Sequence, residues 1–294
     1  MKSREVSFFV DGDRVSATLY LPETDATVPG VVYCQGFGGT REYIAPELGA
    51  RLADSGTALL AFDHRGFGGS EGRPHRIIPA EQIEDVRSAA LFLSTCAEID
   101  HEAIGLLGVS FGGALAIAAA AAEPLVKSTV SCVPFADGAA WMRDIRRYWE
   151  WAEFEERLAQ DRLHVLRTGV SELVDPDDIL VRDPESIEWN EWLKANFPSR
   201  VGFTLSLASA RAIVEFRPID VAHLVNNLLI VTVDHDTLIP TEHAMSIFAR
   251  APDPKQVYLV RNATHHDIYR PPAFDELTSV IIAWFDRQFR GDAR

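Results

Sequence analysis

Cysteine is scarce in this 294-residue chain: Cys34, Cys96 and Cys132 are the only ones, and no C-x-x-C pair occurs. An odd number of widely spaced cysteines supports neither a disulfide framework nor a zinc site. Reduced thiols in a cytoplasmic compartment are the simple expectation. Cys34 and Cys132 lie in apolar runs and read as core thiols. Runs of Lys and Arg are also missing, and the formal net charge is -15. A nucleic-acid binder needs a basic face, so that class of partner is excluded. No uncharged apolar stretch reaches the roughly 18 residues of a membrane span. Met1-Lys2-Ser3-Arg4-Glu5 leads straight into a strand-like segment, without the apolar region of a signal peptide. These absences leave an acidic globular protein, 47% hydrophobic. Self-association into a homo-oligomer is compatible with all of them.

What is present is an alternation of strand and helix patterns. Val6 to Val10 and Arg14 to Leu21 read as strands, with Asp11-Gly12-Asp13 as a hairpin signal. Val31 to Cys34, Ala58 to Phe62, Ala103 to Leu107 and Val126 to Val133 are short apolar runs suited to buried strands. Ile44 to Asp54, Ala80 to Ser94 and the alanine-rich 114–122 have helical spacing between them. The alternation resumes with strands Leu228 to Val233 and Gln256 to Val260, and helices Thr241 to Ala249 and Phe274 to Phe289. Continuous apolar strands separated by helices predict an α/β fold whose mostly parallel sheet is covered on both faces.

Between Ala136 and Arg217 no buried strand run occurs. That segment holds Trp141, Trp149, Trp151, Trp189 and Trp192, leaving only Trp284 elsewhere. Trp141 to Val165 has the spacing of one or two amphipathic helices. Pro176-Asp177-Asp178 and Asp183-Pro184-Glu185-Ser186 have the chemistry of helix starts. The expected organisation is a core of 1–136 and 217–294, with 137–216 inserted as a helical cap. Its tryptophans pack the cap onto the core or line an apolar pocket; Trp141 and Trp189 are the candidates for the second role. Arg143, Arg146 and Arg147 lie at helical spacing and are either solvated or, with Arg146 foremost, placed to receive an anionic group.

The most informative motif is Gly108-Val109-Ser110-Phe111-Gly112. An apolar strand pattern precedes it and a helix pattern follows, so one serine sits at the apex of a sharp turn. A serine hydroxyl is a poor nucleophile at neutral pH and needs a base, which in turn needs an orienting acid. Two later loops leave the carboxyl ends of strands, where open α/β sheets build their sites. One carries Asp234-His235-Asp236 and the other His265-His266-Asp267. On spacing alone Asp234 competes with Asp236 and His266 with His265. Metal binding by His265, His266 and Asp267 is a remoter reading, because adjacent histidines rarely converge on one ion.

With these residues the chain resembles the α/β-hydrolase superfamily, in its dienelactone-hydrolase-like or serine esterase branch with a helical cap. Gln35-Gly36-Phe37-Gly38-Gly39 is similar to that family's oxyanion loop, with Gln35 where histidine is usual. Asp63-His64-Arg65-Gly66-Phe67-Gly68-Gly69-Ser70, the Asp236-x-Leu238-x-Pro240 loop and Ala263-Thr264-His265 with Asp267 and Tyr269 match further family turns. The resemblance implies a triad of Ser110, His265 and Asp236, and an oxyanion hole from the backbone N–H groups of Phe37 and Phe111. It gives His64 a structural place and Asp267 a loop-stabilising one, and Asp63 with Arg65 reads as an ion pair holding its loop. The implied activity is hydrolysis of an ester or related acyl bond in a small to medium substrate, without a cofactor. C–C or amide scission, acyl transfer by the same triad, and a non-catalytic ligand-binding protein remain as alternatives.

Overall fold

The computed structural model describes residues 1–197 and 203–291. Residues 198–202 of the expected insertion and 292–294 of the expected core lie outside the described residues. The chain opens with β1 (Lys2–Val10) and β2 (Asp13–Leu21), paired antiparallel with Val10 opposite Asp13. The turn is therefore the two residues Asp11 and Gly12, at φ 51° and 92°. Both positions of such a hairpin turn require positive φ, which Asp-Gly tolerates well. The turn is one residue shorter than the expected Asp11-Gly12-Asp13, because Asp13 already pairs in the ladder.

Strand and helix then alternate: β3 (Val28–Cys34), α1 (Ala45–Asp54), β4 (Ala58–Phe62), α2 (Pro79–Ser94), β5 (Ile99–Val109), α3 (Phe111–Ala122) and β6 (Val126–Cys132). A mostly helical stretch follows: α4 (Gly138–Asp144), α5 (Tyr148–Thr168), β7 (Leu173–Val174), α6 (Pro176–Ile179), α7 (Pro184–Asn196), β8 (Leu205–Ser206) and α8 (Leu207–Val214). The chain returns to the sheet with β9 (Leu228–Val233), α9 (Thr241–Arg250), β10 (Lys255–Val260) and α10 (Ala273–Arg290).

The eight-stranded sheet has the order β1-β2-β4-β3-β5-β6-β9-β10. β1 and β2 run antiparallel to their neighbours and the remaining pairs are parallel. Side chains alternate between faces with period two. Val31 and Tyr33 of β3 join the core under α1 and α10, while Val32 and Cys34 join the core under α2 and α3. Burial on both faces explains why these strands read as unbroken apolar runs. Cys34 and Cys132 are fully buried core thiols.

A third core joins the helical stretch to the sheet. Trp141 of α4 is fully buried, stacks on Phe135 with ring centroids 4.5 Å apart, and donates its indole N–H to the Leu238 carbonyl at 3.0 Å. The β7–β8 pair, Leu173 opposite Ser206, is the only strand pairing among the described residues of this stretch. At two residues each, these strands are too short to produce a periodicity in the sequence.

Candidate active site

Ser110 occupies the turn between β5 and α3 at φ 58°, ψ -121°. Such a conformation is uncommon for a residue with a side chain and is held only by its surroundings. Its N–H donates to the Cys132 carbonyl on β6 at 2.8 Å, tying the turn to the adjacent strand. The flanking glycines are required by contact: a Cβ at 108 would overlap the Gly112 carbonyl, and one at 112 the Cys34 carbonyl. The turn thus packs tightly against itself and against β3, with Ser110 just beyond the carboxyl end of the central strand β5.

The loops after β9 and β10 bring two more side chains to it. His265 Nε2 lies 3.0 Å from Ser110 Oγ, and its Nδ1 lies 2.7 Å from Asp236 Oδ2. A carboxylate only accepts, so Nδ1 carries the proton and Nε2 is left to accept from the serine hydroxyl. The other Asp236 oxygen accepts from the N–H groups of Leu238 at 3.0 Å and Ile239 at 2.7 Å, which fixes the carboxylate. His265 and Asp236 are both buried from solvent.

The glycine loop runs beside this array. Gly39 N–H donates to the Gly36 carbonyl at 2.9 Å, with Gly38 at φ 63° inside the turn. A Cβ on Gly36 would lie 3.8 Å from the Ser110 Cβ, so the loop backbone passes close to the serine. Buried Gln35 spans the loop to the Phe62 carbonyl at 3.4 Å. Phe111 is the first residue of α3, where a backbone N–H has no intrahelical acceptor.

A cleft of about 160 Å³ opens over Ser110 and His265, walled by the glycine loop, Tyr43, Tyr269 and the inner face of α7. Trp189 of α7 stacks on His266 at 5.3 Å and on Tyr269 at 5.3 Å, forming an aromatic wall. Burial, then proximity to Tyr33, raises the Tyr269 phenol far above its ordinary value, so it stays neutral.

Of the residues expected to meet substrate, Trp189 lines the cleft and two do not. Trp141 is spent packing α4 onto the core. Arg146 turns its guanidinium onto the carbonyls of Met142, Asp178 and Ile179 and over the Phe154 ring, so it ties α4 to α5 and α6. Arg143 and Arg147 are exposed, as the solvated reading expects, and lie over the rings of Trp151 and Trp149. Asp63 and Arg65 hold their loop but not through each other. Asp63 pairs with Arg41 at 2.6 Å, and Arg65 with Asp85 at 2.5 Å. His64 is buried against Asp85.

The rival acid Asp234 accepts from the Ala263 N–H at 3.2 Å, while the partner of His265 Nδ1 is Asp236. The rival base His266 bonds Ser186 of α7 at 3.0 Å through Nε2, while its buried Nδ1 has no hydrogen-bond partner among the described residues. Burial, reinforced by neighbouring His265, lowers the pKa of His266 to about 2. Asp267 accepts from Thr264 N–H at 2.9 Å. Sequence reasoning missed the contribution of Asp183, Glu185 and Ser186. Their Asp-Pro-Glu-Ser pattern marks a helix start but not where that start docks.

The family model for serine aminopeptidases, S33 (Hydrolase_4), matches residues 26–271. A 31.7 kDa protein of the traX–finO intergenic region of Escherichia coli is 30% identical over 275 residues, spanning 93% of this chain and 96% of its own. The thiohydrolase aneE of Aspergillus aculeatus is 26% identical across 92% of this chain and 89% of its own. Among solved structures, the DcsB complex with its substrate analogue superposes with a TM-score of 0.85 at 21% identity, covering 99% of this chain and all (100%) of that one. The ferulic-acid-bound Est1E of Butyrivibrio proteoclasticus gives 0.69 at 18% identity, covering 97% and 99%. At these identities the likeness is one of fold. The chain belongs to the serine aminopeptidase S33 family, within the α/β-hydrolase superfamily.

Proposed function

We propose that the protein is a serine hydrolase that cleaves an ester or related acyl bond of a small to medium organic substrate. The observation that carries this reading is the continuous contact from Ser110 Oγ through His265 to Asp236. In this account Ser110 attacks the acyl carbonyl as His265 Nε2 takes its proton. His265 then returns the proton to the leaving group, and water clears the acyl-enzyme by the same route. Asp236 holds the histidine tautomer and stabilises the imidazolium. The backbone N–H groups of Phe37 and Phe111 receive the oxyanion, each such donor contributing about 3–4 kcal/mol in the transition state. Residues 137–216 act as the cap, and Trp189 contacts the bound substrate.

A second reading, transfer of the acyl group to an acceptor other than water, is favoured by one relative's name. An acyltransferase, drtE of Aspergillus calidoustus, aligns across 90% of this chain, whereas the name of the thiohydrolase aneE fits hydrolysis. Turnover of p-nitrophenyl acetate and butyrate tests the first reading. Wild-type protein is expected to hydrolyse them, and Ser110→Ala to lose at least about a thousandfold in kcat while remaining folded. Wild-type-like turnover in Ser110→Ala would sink the mechanism. Partitioning of product on adding an alcohol, amine or thiol separates transfer from hydrolysis.

A further inference from the structure

The first turn of α7 touches both loops that carry the triad candidates. Asp183, its N-cap, accepts from Ser186 N–H at 2.7 Å and, through its other oxygen, from the Thr237 hydroxyl. Thr237 directly follows Asp236. Glu185 Oε1 accepts from the Thr264 hydroxyl and from the His266 N–H at 3.2 Å. Thr264 and His266 are the two residues that flank His265. Ser186 Oγ completes the contact by meeting His266 Nε2 at 3.0 Å.

The core gives the histidine loop less support on its far side. Ala263 is tied to Asp234 and His235, at 3.2 Å and 3.1 Å. Beyond it the backbone N–H of Thr264 is held by Asp267 and that of His266 by Glu185. The Thr264 hydroxyl has a single proton, for which Glu185 and Asp267 both offer oxygens, so the two carboxylates grip the same residue. Burial would raise the Asp183 carboxyl, but hydrogen bonds from Thr237 and Ser186 hold it below the ordinary range. It is thus ionised when docked.

We propose that the first turn of α7 is a positioning element for the triad. Glu185 fixes the Thr264–His266 backbone that aims His265, and Asp183 fixes the Thr237 side of Asp236. This rests on the reading of Ser110, His265 and Asp236 as the triad. It makes the inserted segment part of the catalytic geometry as well as the cleft wall, so lifting α7 would slacken both triad loops at once. Neither carboxylate acts on substrate; both act through the residues they hold.

Glu185 supplies the test, since Asp183 also caps its helix. Displacing a catalytic group by a fraction of an ångström acts on the chemical step, so Glu185→Ala is expected to lower kcat about tenfold with KM within about twofold. Glu185→Gln keeps an acceptor oxygen and is expected to recover kcat to within about threefold of wild type. Combining Glu185→Ala with Thr264→Val should give a loss well short of the product of the single effects, because both remove the same contact. A second readout needs no turnover: the low-field proton resonance of His265 Nδ1–H, identified by its loss in Asp236→Asn. It is expected to broaden or shift in Glu185→Ala and to persist in Glu185→Gln. An unchanged resonance in Glu185→Ala overturns the proposal whatever the ester rates show, as does equal impairment of the Ala and Gln variants with KM rising in step. If wild-type protein hydrolyses no ester while the resonance still answers to Glu185, the hydrolase reading falls and the positioning role stands.

Discussion

At the scale of the residue, the sequence singles out the proposed nucleophile, base and acid but not every contact. Ser110 is legible because only a strand–turn–helix with glycines on both sides accommodates its conformation. Gly112→Ala should therefore drive a methyl into the Cys34 carbonyl and destabilise the fold by about 3 kcal/mol or more, read as a lowered midpoint in urea. His265 and Asp236 are legible through their loop patterns. Arg146 is not: a cation at helical spacing looks free, yet its partners are backbone carbonyls, which carry no sequence signal. Asp63 and Arg65 likewise each find partners remote in sequence, Arg41 and Asp85, instead of each other. His266 adds a dependence on pH. Its imidazole is buried neutral, with a folded pKa of about 2. The unfolded chain takes up a proton near pH 6.5 that the folded one refuses, so stability should fall as pH drops below that value, by at most about 1.4 kcal/mol per unit. Denaturant melts from pH 7 to 5 should show this slope, and His266→Phe should flatten it. Identical slopes in the two proteins would show that His266 does not remain neutral on burial.

At the scale of the element, burial on both faces makes the central strands easy to read. Ala58–Phe62 and Leu228–Val233 are expected and observed with the same bounds. Helix ends are readable where a side chain caps them. Asp137 begins α4 by accepting from Ala140 N–H at 3.0 Å, and its other oxygen meets Arg217, where the chain turns back toward the sheet. Asp137→Ala should lower stability by about 1 kcal/mol, in the range of a lost N-cap, and urea unfolding measures it. A variant as stable as wild type would deny the cap any energetic role. The β7–β8 pair and the docking of α7 were not legible. The first is too short for periodicity, and the second depends on where a helix lands rather than on how it starts.

At the scale of the whole molecule, an alternation of strands and helices interrupted by a mostly helical stretch was legible, while the way that stretch packs onto the sheet was not. Trp141 was expected among substrate contacts or packing residues, and it packs: its ring lies on Phe135 and its N–H reaches the carbonyl of Leu238, two residues beyond Asp236. Trp141→Ala should cost about 3–5 kcal/mol in unfolding free energy, and Trp141→Phe only about 1–2 kcal/mol, because the ring contact survives while the Leu238 carbonyl loses its donor. Equal losses in the two variants would place the coupling in the hydrogen bond and not in the stack. The account as a whole depends on Ser110 being activated by His265. Reaction with a fluorophosphonate probe, followed by mass mapping of the modified peptide, tests that most directly. The account predicts a single adduct on Ser110, absent in Ser110→Ala and greatly slowed in His265→Ala; labelling that is missing from wild type, or undiminished in Ser110→Ala, would contradict it.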